Sequence, residues 1–165
     1  MVQKYLDKML DKLEEQISLY GKLLKITEKK RDTLVQNAME QLEEVVEIET
    51  KLVKEIADVE QERYSLQKQL AGQMNVPVEE VDTDKLVPLL NPEQKQRMDK
   101  ATDDLRKSLS ELSMLNQTNK KLLEQSLQMV QYSINYIAGE QNSEKTYSKK
   151  PNKKRSGGKF MDIQA

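Results

Sequence analysis

The sequence predicts an all-α protein, and three observations support that prediction. Aromatic residues make up 4% of the 165 positions, with one Phe and no Trp. Leu, Glu, Lys and Gln dominate, a mixture typical of long helices packed side by side, whereas sheets favour β-branched and aromatic residues. Apolar residues also recur every three or four positions. We expect an antiparallel hairpin of two long helices, a third long helix and a flexible basic tail.

The first helix is predicted over residues 3–35. Its apolar residues step by four and three, the a/d spacing of a coiled coil. They are Leu6, Leu10, Leu13, Ile17, Tyr20 and Leu24. Gly21 lies inside this run and should cost about 1 kcal/mol relative to Ala.

The second helix is predicted over residues 38–71 and is closed by Gly72. Its apolar positions are Leu42, Val45, Ile48, Leu52, Ile56, Val59, Leu66 and Leu70. Asn37 can cap this helix, with Glu40 three residues later as in a capping box. We therefore expect the chain to reverse near Gln36–Asn37. A single continuous helix through both runs is the alternative.

Residues 72–91 contain Pro77 and Pro88 and predict an irregular connection with a short helical turn around Lys85–Leu90. The Asp-Thr-Asp triplet at 82–84 is interpreted as exposed aspartates near a helix cap rather than as a cation site. Asn91-Pro92-Glu93-Gln94 is a strong helix start, with Asn as the cap and Pro at the first position. The third helix is predicted over residues 92–138.

Gly139 is predicted to end the third helix. Residues 140–165 hold seven basic and three acidic residues and few apolar ones. Such a segment cannot bury enough apolar surface to fold by itself. The sequence therefore predicts a helical domain over residues 1–139, followed by a flexible tail.

Two apolar faces are predicted on the third helix when its residues are placed at ~100° intervals. The first face is expected to pack on the hairpin, and a buried Asn within such a face fixes register. Its core and register residues are Asn116, Asn119, Leu123, Leu127, Val130, Ile134 and Ile137. The second face is predicted to bind a partner. It consists of Met114, Thr118, Leu122, Gln125, Met129, Tyr132 and Tyr136.

Residues 125–139 carry no charge, although 33% of the chain is charged. The third helix is predicted to be ~70 Å long against ~50 Å for each of the first two. If it starts level with the open end of the hairpin, its uncharged last dozen residues extend past the turn. An exposed helix of this kind can dock on a partner helix. The alternative is that its wide apolar face wedges between the first two helices.

Composition excludes several function classes. The chain has no Cys and no His, so it lacks a thiol nucleophile, thiolate metal ligands and the commonest general base. We expect no catalysis and no cofactor. No apolar run is long enough to span a bilayer, so we expect a cytoplasmic protein without membrane insertion. The basic run at 149–155 lacks aromatic residues, so we expect no nucleic-acid function.

The pattern Asn116-x-x-Asn119-x-x-Leu122-Leu123-x-x-Ser126-Leu127, after a helical hairpin and a Pro-broken connection, resembles the FlgN family of flagellar export chaperones. Leu34-Val35 before the turn and the segment RYSLQKQL at 63–70 are similar to the family pattern. Family tails carry a Thr/Leu-Tyr-Gly element and a late Gly-Gly-Lys. Here these are Thr146-Tyr147-Ser148, with Ser in place of Gly, and Gly157-Gly158-Lys159.

The resemblance implies a concrete function. Family members bind the C-terminal helical region of hook–filament junction proteins through their own C-terminal amphipathic helix. They prevent premature assembly and deliver these clients to the membrane export gate. A tail tyrosine is associated with that gate, and Tyr147 is the matching position. The alternative from the residues alone is a structural coiled-coil scaffold that self-associates.

Overall fold

A computed structural model describes the backbone of residues 1–147 and the side chains of residues 1–141. The helices are α1 (Val2–Gln36), α2 (Met39–Met74), α3 (Thr83–Leu86) and α4 (Pro92–Tyr147). Single 3₁₀ turns occur at Val78–Glu80 and Val87–Leu89, and residues 1–147 contain no strand. The prediction of an all-α protein is confirmed. The chain divides into two compact units, Met1–Glu124 and a second one that begins at Gln125.

The break between α1 and α2 excludes the continuous helix. Asn37 adopts the left-handed conformation, with φ 55° and ψ 36°. Its N–H donates to Leu34 O, and the N–H of Ala38 donates to Thr33 O at 3.0 Å. Asn37 therefore ends α1, and the prediction that it caps α2 is wrong: the N-cap is Ala38, without a side-chain hydrogen bond. Asn is among the few non-glycine residues that adopt this conformation readily.

The contacting residues of α1 and α2 follow in opposite order along the chain, so that the start of α1 lies beside the end of α2. Lys12 forms an ion pair with Glu62, and Lys30 forms one with Glu49 at 3.1 Å. An apolar cluster of buried residues lies between α1 and α2. It contains Leu19, Leu23, Ile26, Val45, Leu52, Ile56 and Val59.

A second apolar cluster lies where the connection of residues 75–91 meets the two long helices. Its buried members are Leu6, Leu70, Ala71, Val81 and Leu86. Asp82 caps α3 by accepting the backbone N–H of Lys85 at 2.9 Å, which is the capping role predicted for the triplet. Burial of Val81 and Leu86 fixes the connection that leads into α4.

The start of α4 confirms the predicted cap. Asn91 Oδ1 accepts the N–H of Gln94 at 2.8 Å, and Gln94 Oε1 accepts the N–H of Asn91 at 3.1 Å. This reciprocal pair satisfies two backbone N–H groups at the helix end.

The predicted end of α4 is wrong, because the helix continues through Gly139 to Tyr147. A helical glycine costs only about 1 kcal/mol relative to Ala, and no glycine of the described residues has a positive φ. Residues 148–165 lie outside the described residues. The flexible tail predicted for residues 140–165 thus stays a prediction beyond Tyr147. Among the described residues, no helix has the length and apolar character needed to cross a membrane.

Candidate functional site

The first turns of α4 are attached to α1 by polar contacts. Gln94 is 2% exposed, and its Nε2 donates to Asp7 Oδ1 at 2.7 Å. Arg97 donates from Nε and Nη2 to the two carboxylate oxygens of Glu14, at 2.8 and 2.9 Å. Its Nη2 also donates to Asp11 Oδ1 at 2.7 Å. A bidentate Arg–carboxylate pair of this kind fixes orientation as well as position.

The charges of this cluster shift one another's pKa. The hydrogen bond from Arg97 holds the pKa of the Glu14 carboxyl below its ordinary value. The hydrogen bonds to Glu14 and Asp11 raise the pKa of Arg97 in turn. Sequence reasoning missed this cluster. The available signal was the spacing of Asp7, Asp11 and Glu14, which places three carboxylates on one face of α1.

Further along α4, Asn119 lies where the sequence placed it. Asn119 is 4% exposed, and its Nδ2 donates to the carbonyl of Thr27 at 3.1 Å. Its Oδ1 is buried and has no hydrogen-bond partner. A buried amide that is satisfied on one side only is costly. The burial agrees with a core position, while a role in fixing register stays a prediction.

Asn116 was predicted to share that core position, and this is wrong because its side chain is exposed. It lines an open surface groove of about 400 Å³ together with other residues of α4. Asn116 lies three residues before Asn119, and this spacing turns it about 60° around the helix axis. That rotation is enough to move one amide to the solvent while the other is buried.

The predicted core positions after Asn119 are also exposed, so a core role within this chain is wrong for them. These residues are Leu123, Leu127, Val130, Ile134 and Ile137. Leu127 has 61% of its surface exposed. The described part of the second unit is one helix, which has no second helix of its own unit to pack on. Apolar spacing identified the face correctly, but it did not identify what covers it.

The predicted partner-binding face is accessible. Met129 is 69% exposed and Tyr132 72% exposed. Met114, Thr118, Gln125 and Tyr136 are exposed as well, and Leu122 is half-buried. Both predicted faces of residues 122–138 are thus available to a second molecule.

Several polar side chains in this region form hydrogen bonds within α4 itself. Ser133 Oγ donates to Met129 O at 2.9 Å, and Gln131 Nε2 donates to Asn135 Oδ1 at 3.2 Å. Thr118 Oγ1 donates to Met114 O at 3.1 Å. Groups that already have a partner cost less to remove from water. These bonds lower the desolvation cost of Gln131, Ser133 and Asn135 when a partner covers residues 125–139, here called the uncharged segment.

Tyr147 is the last residue of α4, and its side chain lies outside the described residues. Its predicted contact with an export gate stays a prediction. No group of three or more acidic side chains that could hold a metal ion occurs within the described residues.

An exposed, uncharged segment at the end of a long helix is of the kind that can dock on a helix of another protein. The family model described as FlgN protein matches residues 1–155. The chain therefore belongs to the FlgN family, a family of flagellar export chaperones without enzymatic activity. The comparison with curated proteins gave no match, and neither did the comparison with solved structures.

Proposed function

We propose that this protein is a cytoplasmic chaperone that binds the C-terminal helical region of hook–filament junction proteins through the uncharged segment of α4. By covering the client helix it prevents premature assembly, and it then delivers the client to the membrane export gate. In this proposal α1 and α2 form the antiparallel hairpin, α4 forms the third helix, and Tyr147 contacts the gate.

The observation that carries the proposal is the exposure of Met129, Tyr132 and Tyr136 in the uncharged segment of α4. A client helix that assembles with its own kind presents an apolar face, and covering this face blocks self-association. Met adapts to differently shaped partners, and Tyr supplies contact area at a low entropic cost. These residue types suit a surface that must accept a helix and later release it.

Release requires modest affinity. Removing charged side chains from water is costly, and fixed ion pairs slow dissociation when they are buried in an interface. The uncharged segment can form no ion pair with a client along residues 125–139. We therefore expect client binding to change little between ~50 and ~300 mM salt, a range over which the Debye length falls from ~14 to ~6 Å.

The test compares two double variants in binding to a junction-protein C-terminal segment, measured by titration calorimetry. Met129→Glu with Tyr136→Glu places two charges on the proposed contact face. Binding should weaken at least ~100-fold, because each apolar contact at the centre of an interface contributes about 2 kcal/mol or more. Val46→Glu with Tyr64→Glu makes the matched change on exposed apolar residues of α2 and should leave binding unchanged.

Far-UV circular dichroism checks that both variants stay folded. Equal binding by wild type and the Met129/Tyr136 variant would contradict the proposal. Sedimentation of the wild-type chain tests the scaffold alternative. A monomer that forms a 1:1 complex supports a chaperone, and a stable oligomer without client binding supports a scaffold.

A further inference from the structure

A second exposed stripe of apolar and small residues runs along α2, where neither the core nor the proposed client site uses it. Its members follow each other at steps of seven, four, three, four and seven residues, the spacing of a coiled-coil face. They are Met39, Val46, Thr50, Val53, Ala57 and Tyr64, here called the outer face of α2. All six are exposed.

The outer face is separate from the side of α2 that packs on α1. That inner side is formed by Val45, Leu52, Ile56 and Val59, all buried. α2 therefore carries two stripes, and only the inner one is covered. In the first unit, the hydrogen bonds from Gln94, Arg97 and Asn119 of α4 reach α1.

The outer face can be covered at a low cost. Thr50, its polar member, donates its hydroxyl to the carbonyl of Val46 at 2.8 Å, so this group already has a partner. Val46 and Val53 are 41% and 52% exposed and lose little side-chain entropy when covered, because β-branched side chains are already restricted. The step of seven between them matches the a positions of successive heptads.

The charges beside the outer face determine what can cover it. Five exposed acidic residues flank it against two basic residues, Lys54 and Lys68, and Lys68 Nζ lies 4.6 Å from the centre of the Tyr64 ring. The acidic ones are Glu40, Glu43, Glu47, Asp58 and Glu60. Residues 38–50 contain five glutamates and neither Lys nor Arg. A helix lying on this face would place its own flanking residues against these carboxylates, and basic residues there would be attracted.

We infer that the outer face of α2 is a docking surface for a partner protein that presents a basic amphipathic helix. The same charges disfavour a second copy of this chain, because two outer faces brought together would oppose acidic residues. These charges also distinguish the outer face from the uncharged segment of α4, which has no charged residue to attract a charged partner. The docking surface thus differs from the proposed client site in position, chemistry and salt dependence.

The probe is a synthetic peptide of about four heptads with Leu at the a and d positions and Lys at the e and g positions. The control peptide carries Glu at e and g. Binding to the full chain is measured by fluorescence anisotropy at low and high salt. We expect the Lys peptide to bind and to weaken as salt rises, and the Glu peptide not to bind.

Two pairs of substitutions locate the binding surface. Val46→Ser with Val53→Ser shortens the apolar stripe and should weaken binding at least ~10-fold. Glu43→Lys with Glu47→Lys reverses the flanking charge and should have a similar effect. The matched control is Glu44→Lys with Glu55→Lys, which changes the net charge equally on the opposite side of α2. This control should keep binding within ~3-fold of wild type.

The remaining outcomes distinguish other occupants and other sites. Met129→Glu with Tyr136→Glu should leave the Lys peptide bound, since it alters the client site alone. Equal weakening by the two charge-reversal pairs would assign the effect to overall charge and overturn the inference. Absence of binding would overturn it as well. A wild-type dimer that Val46→Ser with Val53→Ser dissociates would instead assign the outer face to a second copy.

Discussion

α1 and the second half of α4 carry apolar residues at the same spacing but differ in burial. Leu6, Leu10 and Leu13 of α1 are between 1% and 8% exposed. Leu127 and Ile134 of α4 each expose more than half of their surface. The spacing is a property of the helix, whereas burial depends on what surrounds it. Apolar periodicity therefore predicts which face of a helix is suited to being covered. It does not predict whether the same chain or another molecule covers that face.

α1 and the second half of α4 also differ in their charged residues. On α1 they alternate with the apolar residues and form pairs with neighbouring helices, as in Lys12 with Glu62 and Arg97 with Glu14. Residues 125–139 have none. A helix that packs within its own chain needs charged residues on its solvent side. A helix that is apolar on most of its circumference, with no charge, is suited to being covered by another molecule.

The largest expected effect is a loss of stability that tests the difference in burial between α1 and the second half of α4. Leu10→Ala should lower the free energy of unfolding by about 2–5 kcal/mol, because it leaves a cavity in a fully buried site. Leu127→Ala, the same change in the uncharged segment, should stay within about 0.5 kcal/mol of wild type. Urea unfolding followed by circular dichroism measures both. A large loss for Leu127→Ala would mean that this side chain is covered within the free protein.

The sequence predicted the helical class, the chain break near Asn37 and the cap at Asn91. These features depend on local backbone preferences, which can be inferred from a single sequence. It did not predict that Asn37 ends α1 instead of starting α2, because Asn serves both purposes. It also placed the end of α4 at Gly139, and this was wrong. A glycine ends a helix only when it adopts a left-handed conformation or when a breaker follows it.

The candidate site was predicted in part. The exposure of Met129, Tyr132 and Tyr136 agrees with the partner-binding face, although binding itself stays a prediction. The core assignment of Leu127 and Ile134 failed because helical periodicity does not identify the covering surface. The Arg97 cluster was missed because its acidic partners lie on α1, more than 80 residues away along the chain.

A smaller effect concerns the anchored start of α4. Asn91→Ala removes the acceptor of the Gln94 N–H and should destabilise the protein by about 1 kcal/mol. Asn116→Ala removes an exposed Asn within the same helix and should change stability by a few tenths at most, because Ala is the better helix former. Thermal unfolding of both variants gives the comparison. Equal loss in the two would indicate that the cap contributes nothing beyond residue type.

Replacing the buried amide of Asn119 should change the free energy of unfolding in the opposite direction. Asn119→Leu removes a buried acceptor without a partner, and we expect the free energy of unfolding to rise by up to about 1 kcal/mol. Asn116→Leu, at an exposed position, should change it by less than about 0.5 kcal/mol. Urea unfolding measures both. A loss of stability in Asn119→Leu would show that the hydrogen bond from Asn119 Nδ2 to Thr27 O outweighs the cost of the unpaired Oδ1.

The smallest effect is the pH dependence of the Glu14–Arg97 pair, which anchors α4 on the packed side of the comparison. The pKa of Glu14 is lowered in the folded chain, so the pair contributes stability above the ordinary carboxyl pKa of 4.5. That contribution is lost as the pH falls through the lowered value. Because Glu14 is 45% exposed, we expect only a few tenths of a kcal/mol at neutral pH.

Glu14→Gln tests this dependence. The variant should be less stable than wild type at pH 7, and the difference should shrink as the pH falls through the lowered pKa of Glu14, because the carboxyl then loses its charge. Glu28→Gln, an exposed change on the same helix, should show no such convergence. A difference between wild type and Glu14→Gln that stayed constant with pH would mean that the hydrogen bonds, rather than the charge, hold α4 on α1. The first turns of α4 would then be anchored by hydrogen bonds that do not depend on the charge of Glu14.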